Sequence, residues 1–96
     1  MKQNKRLAIG ALFYDEPDDE YMVVLKESSN PEFFIVYAKS RMFETEYLTK
    51  IDKEWLAKPY GYDDCRYLGN IYKTKLELPM AKDIIKTMTK YLMKDL

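Results

Sequence analysis

The sequence predicts a small α+β domain in which a mostly antiparallel sheet of three to five strands packs against a C-terminal amphipathic helix. Three observations carry that prediction. Segments 6–14, 20–27 and 32–39 are rich in β-branched and aromatic residues and are separated by turn-forming clusters. The connections between them are too short for crossovers, so the three strands pair as an antiparallel meander. Segment 79–95 instead repeats its apolar residues at helical spacing.

The first strand, over 6–14, sets Leu7, Ile9, Ala11 and Phe13 on one face and Ala8, Gly10, Leu12 and Tyr14 on the other. Both faces are apolar, as in a strand covered on both sides. Gly10 in its middle predicts a bulge or a close backbone approach. Asp15-Glu16-Pro17-Asp18-Asp19-Glu20 then forms a polar turn, with a proline that stops the strand. The second strand sets Tyr21, Val23 and Leu25 against Met22, Val24 and Lys26, and Ser28-Ser29-Asn30-Pro31 turns the chain again. The third sets Phe33, Ile35 and Tyr37 against Phe34, Val36 and Ala38.

Segment 41–57 reads two ways. Phe43, Tyr47, Ile51 and Trp55 recur every four residues with Leu48 beside them, which favours a helix capped by Ser40. Arg41 to Leu48 also alternates as a strand does. A short second helix around 50–57 is the preferred reading, with 41–49 standing between helix and strand; Pro59 and Gly61 end it. Residues 65–77 read as extended, with β-forming Tyr67, Ile71, Tyr72 and Thr74 and a break at Gly69-Asn70. In the last segment Pro79 suits the first helical position. Met80, Ala81, Ile84, Ile85, Met88, Tyr91 and Leu92 share one side of that helix, and Lys82, Lys86, Lys90 and Lys94 the other. Leu12, Tyr14, Val24, Phe34 and Val36 leave the sheet's second face apolar as well, to be covered by the middle helix or by another copy of the chain.

Ninety-six residues make a single compact domain spanning 1–96, with a modest core. No apolar run reaches membrane-spanning length, and the basic start Met1-Lys2-Gln3-Asn4-Lys5-Arg6 is too short and too soon followed by tyrosine and acid to be a signal peptide. The lone Cys65 suits a reducing cytoplasm and excludes an internal disulfide. Sixteen basic and sixteen acidic side chains cancel, which argues against both a nucleic-acid footprint and an acidic DNA mimic, and leaves self-association easy.

Nine tyrosines stand beside no histidine. Without histidine, Ser-His-Asp and Cys-His catalysis and most zinc sites are excluded, whereas tyrosine is a residue of binding surfaces. No catalytic residue, metal site or cofactor is therefore expected. Cys65 has only Arg66 to favour its thiolate and reads as an ordinary reduced cysteine. Asp63, Asp64 and Glu77 lack the spacing that would select a two-metal site. No phosphate-loop, dinucleotide or CxxC pattern is present.

Three constellations remain. The acidic turn, with Asp15, Glu16, Asp18, Asp19 and Glu20, is a solvated hairpin turn that also suits a basic partner; it lacks the glycine and distal glutamate of a calcium loop. The row Lys82, Lys86, Lys90 and Lys94 is the solvent face of an amphipathic helix that also suits phosphate. The aromatic stretch Tyr60, Tyr62, Arg66 and Tyr67, followed by Tyr72, has the residue types of an interface anchor. No diagnostic family motif occurs. At class level, the size, the composition and the missing catalytic residues are similar to those of short accessory proteins of bacterial phages and mobile elements. That resemblance implies stoichiometric binding, in some cases inhibition of a host defence protein. The expectation is thus a non-enzymatic, cytoplasmic protein–protein interaction module, an inhibitor in character and prone to homo-oligomerise. The alternative is a homo-oligomeric protein that sequesters a nucleotide or small molecule.

Overall fold

The computed structural model describes residues 4–57, 65–73 and 81–92. Five strands, β1 (Ala11–Asp15), β2 (Glu20–Glu27), β3 (Phe33–Ser40), β4 (Thr45–Asp52) and β5 (Cys65–Asn70), form one antiparallel sheet in the order β4-β3-β2-β1-β5. A 3₁₀ turn at Lys5–Leu7 precedes β1, a short helix α1 (Lys53–Ala57) follows β4, and α2 (Ala81–Thr89) follows β5. The α+β class, the meander of the first three strands and the helix after the sheet are as the sequence predicts. Among the described residues no helix is long and apolar enough to cross a membrane.

The sheet is sandwiched between helical covers of unequal size. On one face Leu12, Val23, Leu25, Ile35 and Tyr37 pack with Ile84 and Met88 of α2. On the other, Ala11, Phe13, Met22, Val24, Phe34, Val36 and Ala38 pack with Leu56 of α1 and with Leu7, Ile51, Trp55 and Tyr67 at their margin. The apolar alternation of both rows explains why the strands are buried on both sides. A bulge between Val24 and Lys26 leaves Leu25 extra and pairs Lys26 with Ile35 of the α2 row, and a second between β1 and β5 opposes Leu12 to Gly69 and Phe13 to Tyr67, with Leu68 extra.

Several expectations need correction. The first strand begins at Ala11, not at residue 6, because Asn4 accepts from the Arg6 amide and starts the 3₁₀ turn instead. Gly10 therefore sits at the corner before β1. It has φ +90° and lies so close to Tyr72 and Asn70 that a Cβ would come within 2.5 Å of the Tyr72 ring. The close approach expected of it is real, and its place is the turn.

Residues 45–52 are a strand, so the helix expected around 50–57 is cut to 53–57, and Ser40 ends β3 rather than capping a helix. The spacing of four that suggested a helix is also a multiple of the strand period, and the open edge of β3 supplies a full ladder of partners. The cap that α1 does have is Asp52, whose Oδ1 accepts from the Glu54 amide at 2.8 Å. Gly69-Asn70 is no break but the end of β5, and 71–73 turn away rather than extend. The last helix passes into a turn at Lys90–Leu92 closed by i→i−3 bonds; its expected start at Pro79 and end at 95 lie outside the described residues. Leu12 and Tyr14, expected on the second face, lie on the α2 side.

Candidate functional site

The β1–β2 and β3–β4 turns are stitched side by side, and this sets up the site. The buried Ser40 hydroxyl donates to the Asp18 carbonyl at 2.8 Å, and the Arg41 amide donates to the Asp19 carbonyl at 3.0 Å. Asp19 adopts φ 45° and its carboxylate receives the Tyr14 hydroxyl at 2.8 Å and the Arg41 guanidinium at 3.0 Å. The Arg41 guanidinium, and then the Tyr14 hydroxyl, hold the Asp19 carboxyl below its ordinary range. Asp19 is therefore spent on structure.

Three other acids of the turn open onto a groove of about 450 Å³ on the α1 face of the sheet. Asp15, Asp18 and Glu20 line one end, Asp52 the other, and Met22, Ile51, Tyr47 and Trp55 supply the apolar and aromatic surface between, with Thr49 and Lys50 on the bordering strand. Strand register explains the gathering. Asp15 pairs with Glu20, Glu20 with Ser40 and Ser40 with Thr45, so these positions form the last row of that face.

Glu20 is the most telling member. It is only 8% exposed, and the Tyr47 hydroxyl approaches both its oxygens, at 2.9 and 3.1 Å. One hydroxyl hydrogen satisfies one of the roughly four acceptor positions of a carboxylate. Burial above all, and then the nearby charges of Asp15 and Asp18, raise the Glu20 carboxyl above its usual range, against the opposing effect of Tyr47. Burial and the same contact push the Tyr47 hydroxyl up to about 12, so it remains a donor at neutral pH. A negative, partly desolvated pocket beside an aromatic wall is suited to an organic cation, a guanidinium or an ammonium group. Among the described residues no group of three or more side chains is placed to hold a metal ion.

Of the residues singled out in the sequence, Asp15, Asp18 and Glu20 come together here, Asp19 does not line the groove, and Glu16 is exposed on the turn. Tyr60, Tyr62 and Lys94 lie outside the described residues. Arg66 and Tyr67 are neighbours on β5 and so point to opposite faces: the Arg66 guanidinium lies over the Tyr14 ring at 5.8 Å, while Tyr67 packs edge-on against Phe13 at 5.7 Å. Tyr72 is 52% exposed. Lys82, Lys86 and Lys90 occupy the exposed side of α2. A second depression, of about 410 Å³, brings Tyr67 together with Lys5, Lys73, Asn4 and Asn70.

The sequence reading missed Tyr47, Asp52 and Trp55 as site residues. The signal was present in the alternation of Tyr47, Thr49 and Ile51, which puts all three on one face once 45–52 is taken as a strand. No protein-family model matches the chain, and comparison with curated proteins and with solved structures returns no match.

Proposed function

We propose that this chain is a small non-enzymatic protein-binding module that takes a basic segment of a partner into the acidic groove between the β1–β2 turn and α1. The observation that carries this reading is the buried Glu20 carboxylate beside Asp15 and Asp18 on a groove walled by Tyr47 and Trp55. An arginine or lysine side chain entering it would restore to Glu20 the hydrogen bonds and counter-charge that burial removed. Binding of this kind saturates at a fixed ratio, in keeping with an inhibitor that acts by occupancy, in the manner of phage and mobile-element accessory proteins. The lone cysteine makes the cytoplasm the natural setting for such a protein.

Trp55 is the chain's single tryptophan, so its emission reports on this groove directly. Titration with short arginine- or lysine-containing peptides is expected to shift that emission saturably at one peptide per chain, more weakly at high salt and in Asp18→Asn, while acidic peptides leave it unchanged. Emission indifferent to cationic peptides sinks the reading.

A second reading rests on the depression with Tyr67, Lys5 and Lys73, which joins an aromatic ring to two cations as a nucleotide phosphate and base require. Calorimetry with mono-, di- and cyclic nucleotides tests it; absence of heat across that panel removes it.

A further inference from the structure

We propose that two copies of this chain pair edge to edge through β4, antiparallel about a two-fold axis at Leu48, joining their sheets into one. Among the described residues β4 is the outermost strand at one side of the sheet, and an edge strand turns every second backbone N–H and C=O outward. The two edges differ. β5 is six residues long and bulged against β1, a distortion that discourages further pairing. β4 runs eight residues in unbroken register with β3, and every position along it is exposed or half-exposed. It is the longer, unbulged edge, on which another strand can be laid.

The side chains of β4 select what that strand is. An axis perpendicular to the sheet keeps each face continuous across the junction, so opposed residues come from the same row and their numbers sum to an even value. Register with β3 sets Glu46 beside Lys39, Leu48 beside Tyr37 and Lys50 beside Ile35, so these three alternate onto the α2 face, with Lys50 also bordering the groove at the outer edge of the strand. With Leu48 on the axis, Glu46 of each copy stands opposite Lys50 of the other, and Leu48 meets Leu48 between the two ion pairs. Moving the axis to Tyr47 sets Glu46 against Leu48, and moving it to Thr49 sets Glu46 against Asp52. The Tyr47 register gives Lys50 only Glu44 of the turn, outside β4, and an axis at Ile51 gives it Asp52 at the cost of most of the ladder; the Leu48 register sets Glu46 against Lys50 on both sides of the axis with the whole central strand paired.

Glu46 is prepared for that role. Its oxygens receive the Tyr37 hydroxyl at 2.7 Å and the Tyr91 hydroxyl at 2.8 Å, which hold the carboxylate in one orientation at the sheet edge. Among the described residues Lys50 has no ion-pair partner within its own chain. A lysine on an edge strand discourages indiscriminate pairing, and here the Leu48 register supplies it the oriented Glu46 carboxylate of a second copy. The same register carries the β3–β4 tip past the end of the partner's strand, with Phe43 opposite Lys53. Met42 and Phe43, 60% and 61% exposed, would then lie along α1 of the second copy, which accounts for two large apolar side chains otherwise left in water. On the opposite face Tyr47 meets Thr49, so the two acidic grooves would meet across the axis. The pairing itself does not depend on what those grooves bind.

Sedimentation equilibrium at high micromolar concentration tests the proposal, with circular dichroism as a check on folding. The wild type is expected at twice its 11.5 kDa chain mass. Lys50→Glu, which turns both ion pairs into repulsions, is expected to weaken the dimer by roughly tenfold or more. In a Cys65→Ser background, Leu48→Cys is expected to cross-link on oxidation, because that residue opposes itself, and Tyr47→Cys is not. A monomeric wild type, a dimer indifferent to Lys50→Glu, or cross-linking at 47 in place of 48 overturns it.

Discussion

The two faces of the sheet carry the same kind of pair, a glutamate receiving tyrosine hydroxyls, and treat it in opposite ways. Under α2, Glu46 accepts from both Tyr37 and Tyr91, and these hydroxyls hold its carboxyl below the usual range. On the α1 face, Glu20 has Tyr47 alone among the described residues, is more deeply buried, and is raised instead, with burial as the chief cause. The difference traces to the covers. α2 spans nine residues and the turn after it brings Tyr91 to Glu46, whereas α1 spans five. A carboxylate with a hydroxyl donor on each oxygen contributes to folding. A charge buried with too few such donors weakens folding instead.

Core truncations should break this comparison most visibly. Ile84, fully buried beneath α2, is expected to cost about 3 kcal/mol as Ile84→Ala, while Ile51→Ala at the margin of the groove face costs about 1 kcal/mol. Chemical denaturation of the two variants measures the contrast, and equal losses would mean that the short cover closes its face as well as α2 does. Gly10→Ala comes next, at about 2 kcal/mol or more, because a positive φ and the Tyr72 ring both oppose a Cβ there. Its effect should appear in the same unfolding experiment, since Gly10 ties the corner before β1 to both neighbours: its amide donates to the Val24 carbonyl and its carbonyl accepts from Ile71.

The smallest effects should differ in sign. Glu20→Gln is expected to leave stability at neutral pH unchanged or raise it by up to about 1 kcal/mol, since it removes a buried charge while keeping an acceptor for Tyr47. It should also abolish most of the Trp55 response to cationic peptides. Glu46→Gln is expected to cost less than about 1 kcal/mol, because its side chain is exposed to solvent screening.

The pH dependence follows the same division. Glu46, with its lowered folded value, contributes stability that is present above the unfolded glutamate pKa and lost as pH falls through the folded one. Glu20, with its raised value, contributes stability that is present below the unfolded pKa and lost as pH rises through the folded one. Peptide affinity for the groove should run opposite to the Glu20 stability contribution, falling as acid protonates that carboxyl. Thermal melts and Trp55 titrations across mildly acidic pH read the two trends separately.

Much of this architecture was legible in the chain itself. Segments around β1, β2 and β3, with turn residues at Pro17 and Asn30-Pro31, specify a meander because strand alternation and turn chemistry are local properties. The stripe from Ala81 to Leu92 specifies an amphipathic helix for the same reason. The acidic turn was recognisable as a cluster, though not which of its members would be spent on Arg41 and Tyr14. What only the tertiary structure decided is β4 and everything built on it. A spacing of four residues satisfies a helix and one face of a strand alike, and the free edge of β3 chose between them. The same choice carried Tyr47 across to Glu20 and brought Trp55 to the groove, contacts separated by 27 and 35 residues from that glutamate along the chain. Periodicity is written within a few residues of itself, but the protonation of Glu20 depends on groups that meet only when the sheet has formed.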